Sequence, residues 1–246
     1  MRIAIISDIH GNCLAFDAVL EDIRLRSIDQ IVCLGDAIQG GPQPAETLQR
    51  LRELACPVVM GNADAWLLTG EETSPHEQVS SQQMAVREWS LAQLSEDDRV
   101  FIGQFAPTVE IALETDKKLL CFHGSPRSFD DLILPNTSEE VLQTLLGGFE
   151  AALFSGGHTH TQQLRRLGDA WYVNPGSVGL AYNWTLPADT FHADPWAEYA
   201  IVTSEGGRNN IEFLHVPFDV RSLIELIKAS GRPHPETSLA LYQAKA

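Results

Sequence analysis

The sequence predicts an α/β fold in which two mixed β-sheets pack face to face with helices on the outside. The first third of the 246 residues alternates short β-rich runs with helical periodicity, as sequential βαβ units do. Later apolar runs come in pairs around polar turns, as antiparallel hairpins do. No internal repeat, low-complexity block or Pro/Ser-rich linker divides the chain, so a single domain over residues 1–246 is expected.

Residues 2–7, Arg-Ile-Ala-Ile-Ile-Ser, read as a buried strand. Val19, Leu20 and Ile23 then follow Phe16 at helical spacing, and Asn12 stands where an N-cap belongs. A strand over 30–34, a helix over 45–54 and a strand over 57–60 follow. The stretch 78–94 reads as helical, and the acidic run Glu96-Asp97-Asp98 as a solvated turn. After it the pattern turns antiparallel: 109–113 and 118–122 flank the turn 114–117, while 163–167 and 170–173 flank Gly168-Asp169. Between these hairpins lies a strand-like run over 151–154. A third β pair, 199–203 with 211–216, surrounds the segment 205–210. A helix over 220–229 opens the C-terminal part from about residue 219 and precedes a polar tail with two prolines.

Asp and Glu number 33 against 17 Lys and Arg, a formal charge of −16, with 44% apolar residues and 8% aromatics. Non-specific nucleic-acid binding rests on Lys and Arg neutralising phosphates, so neither it nor a polybasic membrane contact is expected. A small phosphorylated substrate remains compatible with this charge, because a metal ion inverts the local field of an acidic site. Cys13, Cys33, Cys56 and Cys121 form no C-x-x-C pair, and the last three lie in or beside strand-like runs, the pattern of reduced core thiols. The apolar run at the N-terminus is too short for a signal peptide and no segment has the length of a membrane span, so a cytoplasmic location is expected.

The chemistry-bearing residues fall where strands end. Asp8-Ile9-His10 follows the run 2–7, Gly35-Asp36 follows 30–34, Gly61-Asn62 follows 57–60, His123-Gly124 ends 118–122, and Gly157-His158-Thr159-His160 comes after 151–154. Ligands of α/β sheets bind at the carboxyl ends of strands, so these five ends are expected to meet in one crevice. Asp8 with His10, and His158 with His160, stand two apart, which at a strand end places each pair on one side as a chelate. Singly, each motif is an ordinary turn or surface histidine; the agreement of all five in position is what points to metal binding. Oxygen donors mixed with imidazoles suit Mn²⁺, Fe, Ni²⁺ or Zn²⁺ rather than Ca²⁺.

In these motifs the chain resembles the calcineurin-like metallophosphoesterase superfamily, whose members read D-x-H, G-D-x-x, G-N-H-[D/E], a lone H and G-H-x-H in this order. The match spans roughly residues 1–216, and Asn174-Pro175-Gly176-Ser177 is similar to the N-P-G-S turn of its small bacterial phosphodiesterase-type branch. The resemblance implies a four-layer α/β/β/α sandwich with two divalent transition-metal ions, manganese first among the candidates. It implies that Asp8, His10 and His160 bind one ion, that Asn62, His123 and His158 bind the other, and that Asp36 bridges them. A hydroxide between the ions would then attack the phosphorus of a small phosphoester, more readily a diester, with Asp36, Asn62 and Asp64 as catalytic residues. The resemblance leaves the oligomeric state open.

Two positions depart from the family. Gly61-Asn62-Ala63-Asp64 has alanine where many members carry the histidine that protonates the leaving group, which predicts a preference for leaving groups that depart as stable anions. His76 and His192 are the candidate substitutes, whereas His215 and His234 read as structural or exposed. The missing acid also keeps open a second reading, a catalytically weak metal-binding scaffold for protein–protein interaction; the seven filled ligand positions favour the enzyme. The other departure is a longer segment at about 180–197, with Tyr182, Trp184, His192 and Trp196, which has the composition of a substrate lid. Arg127, Tyr182 and His192 are the candidate substrate contacts, Cys13 reads as a helix-start residue, and no nucleophilic serine or cysteine is required.

Overall fold

Strand β1 (Arg2–Ile6) shows how the sequence builds four layers. Its side chains alternate between faces: Ile3 and Ile5 join the core between the sheets, with Val32, Leu34, Leu119, Cys121, Leu153 and Val173, while Ala4 and Ile6 face the helices, against Phe16 and Val19. The computed structural model describes residues 1–71, 79–114, 117–183, 185–187 and 190–242. In chain order the remaining strands are β2 (Gln30–Cys33), β3 (Val109–Ala112), β4 (Lys118–Cys121), β5 (Leu153–Ser155), β6 (Gln163–Leu167), β7 (Ala170–Asn174), β8 (Trp196–Glu205) and β9 (Arg208–Pro217). The first sheet runs β2-β1-β8-β9 and the second β3-β4-β5-β7-β6. Both are mixed: β1 pairs parallel with β2 and antiparallel with β8, and β5 is parallel to both neighbours while β3 and β6 are antiparallel edges.

Helices α1 (Cys13–Arg24), α2 (Pro44–Leu54), α3 (Asn62–Thr69) and α5 (Glu96–Ile102) contribute to the core outside the first sheet. Helix α6 (Glu139–Leu146) covers the second, with Leu142 and Leu146 against Leu120, Phe122, Phe154 and Tyr172. Helix α4 (Ser81–Ala92) lies between α3 and α5 in sequence, and α7 (Val220–Ala229) and α8 (Pro235–Tyr242) close the described chain. The α/β/β/α expectation holds. All four cysteines are free, three of them buried, and among the described residues no helix is long and apolar enough to cross a membrane.

Several local expectations change. Residues 57–60 make only single bridges, Val58 to Cys33 and Val59 to Ala106, because they pass between two partners without running along either. Helix α3 starts at Asn62 with Gly61 as its N-cap, a helix that the sequence pattern did not predict there. Glu96-Asp97-Asp98 is the first turn of α5, fixed by a capping box between Ser95 and Asp98. The loop between the last two strands shrinks to Gly206-Gly207, whose positive φ of 56° and 74° gives a tight hairpin turn. The polar tail contains a helix, α8, because Pro235 stands at its first residue, where proline is favoured. Trp196, in the segment expected to form a lid, begins β8 and stacks on His215 with ring centroids 5.0 Å apart. The described part of 180–197 is pinned: Tyr182 bridges Ala193, and the Ala193 N–H donates to the Leu241 carbonyl of α8 at 2.8 Å. Trp184 and His76 lie outside the described residues.

The turn 174–177 crosses from the second sheet to the first and ties their ends together. Asn174 Nδ2 donates to the Gly157 carbonyl (2.7 Å) and to Thr159 Oγ1 (3.0 Å) after β5, while Ser177 Oγ donates to the Asp8 carbonyl (2.8 Å) after β1. Glycine is required at 176, where φ is 81° and a Cβ would overlap Glu198 Oε2. Burial beside this turn raises the Glu198 carboxyl to about 7, with the charge of Asp194 adding to it.

That shift has a signed consequence. An unfolded glutamate titrates near 4.5, so Glu198 holds its proton more tightly in the fold and its contribution to stability is lost as the pH rises from about 4.5 through 7. Glu198→Gln keeps the shape without the charge and should raise the melting midpoint above pH 7, with the gain fading towards pH 4.5. Thermal melts of both proteins at pH 5 and pH 8 check this; an equal difference at the two pH values shows that Glu198 does not titrate in the window.

Candidate functional site

Three of the five segments turn sharply before presenting their side chains. Asp8, His10, Asp36, His158 and His160 have positive φ, from 50° to 66°, and make up five of the eight described non-glycine residues in that region. L-residues avoid this conformation at a cost of roughly 1–2 kcal/mol, so its concentration here marks a functional constraint. It also corrects the strand-period argument. β1 ends at Ile6, and left-handed turns, rather than extended backbone, bring Asp8 and His10 together. His158 and His160 are not a chelating pair, because consecutive turns send them to different groups.

Those groups are Asp8 with His10 and His160, and Asp36 with His123 and His158, the ligand atoms of each lying within 4.8 Å of one another. Asp36 reaches both: its Oδ2 is 3.3 Å from His123 Nε2 and 3.8 Å from His10 Nε2. Its Oδ1 accepts from the Ala63 N–H at the start of α3 (2.8 Å). Gly61 allows this approach, since a Cβ there would overlap that oxygen. Asn62 Oδ1 lies 2.9 Å from His123 Nε2 and so belongs beside the second group.

Three imidazoles are aimed in the same way. Nδ1–H of His10 donates to the Gln39 carbonyl (2.8 Å), that of His123 to Leu34 (2.8 Å) and that of His160 to Leu180 (2.7 Å). A carbonyl only accepts, so Nδ1 carries hydrogen in each ring and Nε2 is turned to the site, the arrangement that fixes a metal-ligating histidine. His10 Nε2 and His160 Nε2 lie 3.0 Å apart, which requires one proton between them. Burial depresses both imidazoles, but the Asp8 charge overrides it at His160, which is raised, while burial and the His160 charge keep His10 lowered. His123 is likewise raised to about 9 against its burial by the charge and hydrogen bond of Asp36. His158 falls to about 4 through burial and the His123 charge. Burial would push Asp8 and Asp36 up, yet the facing imidazoles hold both carboxyls below the usual range.

His123 and His160 thus each owe their upward shift to a facing carboxylate. The fit for metal is supported by Asp8 Oδ1, which is fully buried without a hydrogen-bond partner, 3.3 Å from His160 Nε2. A buried carboxylate oxygen is costly to leave bare, and an ion coordinated by Asp8, His10 and His160 would satisfy it.

Asp64 is fully buried and does not open onto solvent. Its carboxyl accepts from the backbone N–H groups of Ala37 and Ile38, each at 3.1 Å, and so grips the turn that follows Asp36. Burial, reinforced by the Asp36 charge, raises it to about 7. The Cys13 thiol, pushed up to about 12 by burial and by Asp17, stays protonated at the start of α1.

A cavity of about 490 Å³ opens beside His10, Asn62 and Ala63. Of the candidate substrate contacts, Tyr182 packs on the His160 ring at 5.3 Å between centroids. His192 and Arg127 are not in the cavity lining: exposed His192 Nδ1 donates to the Thr190 carbonyl, and Arg127 donates to the Gly147 carbonyl and lies over Phe149. The cavity instead receives Arg232 and His234 from the α7–α8 connection. Sequence reasoning missed Arg232 and set His234 aside as structural or exposed; the one available signal was His-Pro at a helix entrance.

The comparisons with known proteins agree with this geometry. The family model for the calcineurin-like phosphoesterase superfamily domain matches residues 1–203. The uncharacterized protein MJ0912 of Methanocaldococcus jannaschii is 27% identical over 242 residues, 94% of this chain and 93% of its own. The phosphodiesterase YfcE of Escherichia coli K12 is 26% identical over 194 residues, 73% of this chain and 80% of its own. Among solved structures, a metallophosphoesterase from Sphaerobacter thermophilus (24% identity, TM-score 0.75, 98% of both chains) and the hypothetical protein PH1004 from Pyrococcus horikoshii (19% identity, TM-score 0.82, 99% of this chain and 98% of that one) share the fold. With the family model covering most of its length, and with two candidate metal-ligand groups at its strand ends, the chain belongs to the calcineurin-like phosphoesterase superfamily.

Proposed function

We propose that the protein is a dinuclear-metal phosphohydrolase acting on small phosphoesters, diesters before monoesters. The observation that carries this reading is Asp36, one carboxylate within 4 Å of an imidazole from each ligand group. Asp8, His10 and His160 would hold one ion, Asn62, His123 and His158 the other, and Asp36 both. Manganese suits this oxygen–nitrogen set, with iron, nickel or zinc as alternatives. Two bound divalent ions supply charge neutralisation for the phosphoryl oxygens and lower the pKa of water.

The chain's own residues supply the positioning. The three backbone carbonyls behind His10, His123 and His160 fix ring orientation before any ion arrives. Asp64 is a positioning residue that holds the 36–38 turn through two N–H groups. Tyr182, in the segment expected to form a lid, packs on the His160 ring. The diester preference rests on the similarity to the phosphodiesterase YfcE.

Asp36→Asn should lower turnover by at least 10²-fold and reduce bound metal, read by elemental analysis of the purified protein and a panel of phosphomonoesters and phosphodiesters with added Mn²⁺. Near wild-type turnover with both ions retained would show that Asp36 is no bridge. Asp64→Ala leaves two buried N–H donors unpaired, at about 1–3 kcal/mol each, and should lower both the melting midpoint and metal content. Asp64→Asn retains an acceptor and should keep most activity; its loss with fold and metal intact would assign Asp64 a chemical step.

A further inference from the structure

The segment after residue 203 lies outside the family match, yet it completes the cavity beside the metal ligands. His10 reaches that cavity from the turn after β1, Asn62, Ala63 and Trp66 from α3, and Arg232 and His234 from the α7–α8 connection. Arg232 bolts the connection down: its Nε donates to the Gly40 carbonyl (2.6 Å) and its Nη1 to the carbonyls of Pro233 (3.0 Å) and His234 (3.2 Å). Gly40 adjoins Gln39, whose carbonyl orients His10. The connection is therefore fixed to the same loop that aims a metal ligand.

His234 is held in the left-handed region at φ 53°. Its carbonyl accepts from Arg232 Nη1, from the Thr237 N–H (3.2 Å) and from Thr237 Oγ1 (2.8 Å), enough contacts to maintain an unfavourable backbone. On the ring, Nδ1 lies 3.3 Å from Glu236 Oε1, and the residue is part of the cavity lining. The charged and titratable groups around it are Glu236 on α8, Arg232 on the connection, and Asp130 and His10 across the cavity lining. A guanidinium does not release its proton, and a carboxyl group carries one at neutral pH only when strongly perturbed. An imidazole both holds and releases one there. The side chain of Ala63, at the start of α3, has no proton to give.

We propose that His234 is the general acid of this site, protonating the leaving alcohol of an ester with an unactivated, alkoxide-type leaving group. This rests on the phosphoesterase reading above. As water adds to phosphorus and gives up its proton to solvent, the P–O bond to the departing alcohol breaks and its electron pair passes to that oxygen. His234 delivers a proton to the same oxygen and recovers one from solvent. The preference for stable-anion leaving groups, drawn from Ala63 alone, is thereby replaced by tolerance of poor ones.

The test uses the full chain loaded with Mn²⁺ and a series of methyl phosphodiesters graded from p-nitrophenyl to alkyl leaving groups. His234→Asn, chosen because asparagine tolerates the left-handed backbone, and His234→Gln are compared with the wild type. Both variants should lose about 10²–10⁴-fold in kcat/KM on alkyl leaving groups, lose only a few-fold on p-nitrophenyl, and keep metal content and melting midpoint. A loss of equal size across the series, or none, overturns the proposal while wild-type turnover upholds the phosphoesterase reading. A metal-loaded wild type that cleaves no member of the series overturns both.

Discussion

Everything at the site depends on a seam of hydrogen bonds joining the carboxyl end of one sheet to that of the other. His123, after β4 of the second sheet, donates to Leu34 beyond β2 of the first. The His158 N–H, after β5, donates to Asp8 Oδ2 beyond β1 (3.1 Å), and the Asp8 N–H donates to the Gly35 carbonyl (2.9 Å) within the first sheet. These bonds lie among buried residues, where an unmade bond is expensive. The two sheets consequently cannot slide over each other without breaking ligand geometry, and ligand geometry cannot relax without unpairing backbone. Gly157 permits the contact, since a Cβ there would overlap Ser7 Oγ.

The charges follow from that seam. Two carboxylates are carried into the interior with imidazoles packed around them, and each carboxylate raises an imidazole that faces it, Asp36 raising His123 and Asp8 raising His160. Asp64 sits behind Asp36 as a third carboxyl, and its upward shift keeps a third full charge from accumulating. The result is a cradle in which three rings are already oriented, because Nδ1 of His10, His123 and His160 is committed to a backbone carbonyl.

How much of this was readable from sequence depends on the range of the interaction involved. Strand β1, helix α1 with its Asn12 cap, and the later hairpins follow from local alternation, periodicity and capping, and they appear as expected. The order of ligand motifs was equally legible, because each sits one turn beyond an apolar run. The division of His158 and His160 between two groups was not readable from spacing, since it depends on left-handed backbone that two-residue periodicity does not describe. Helices α3 and α6 were missed because each has only eight residues, too few to establish a period. Helix α8 was hidden because a proline that starts a helix looks the same in sequence as one that stops it. Arg232 touches Gly40 across 192 positions of chain, a contact no local pattern announces.

The left-handed turns at Asp8, His10, Asp36, His158 and His160 also set an evolutionary tension. Glycine adopts that backbone freely, so at each of these positions the residue best for the fold is a poor one for the ion. Selection for heat resistance alone would accept small residues there and yield a sturdier, inert protein. In this chain the sites most open to stabilising change are therefore the ones that carry the candidate metal ligands.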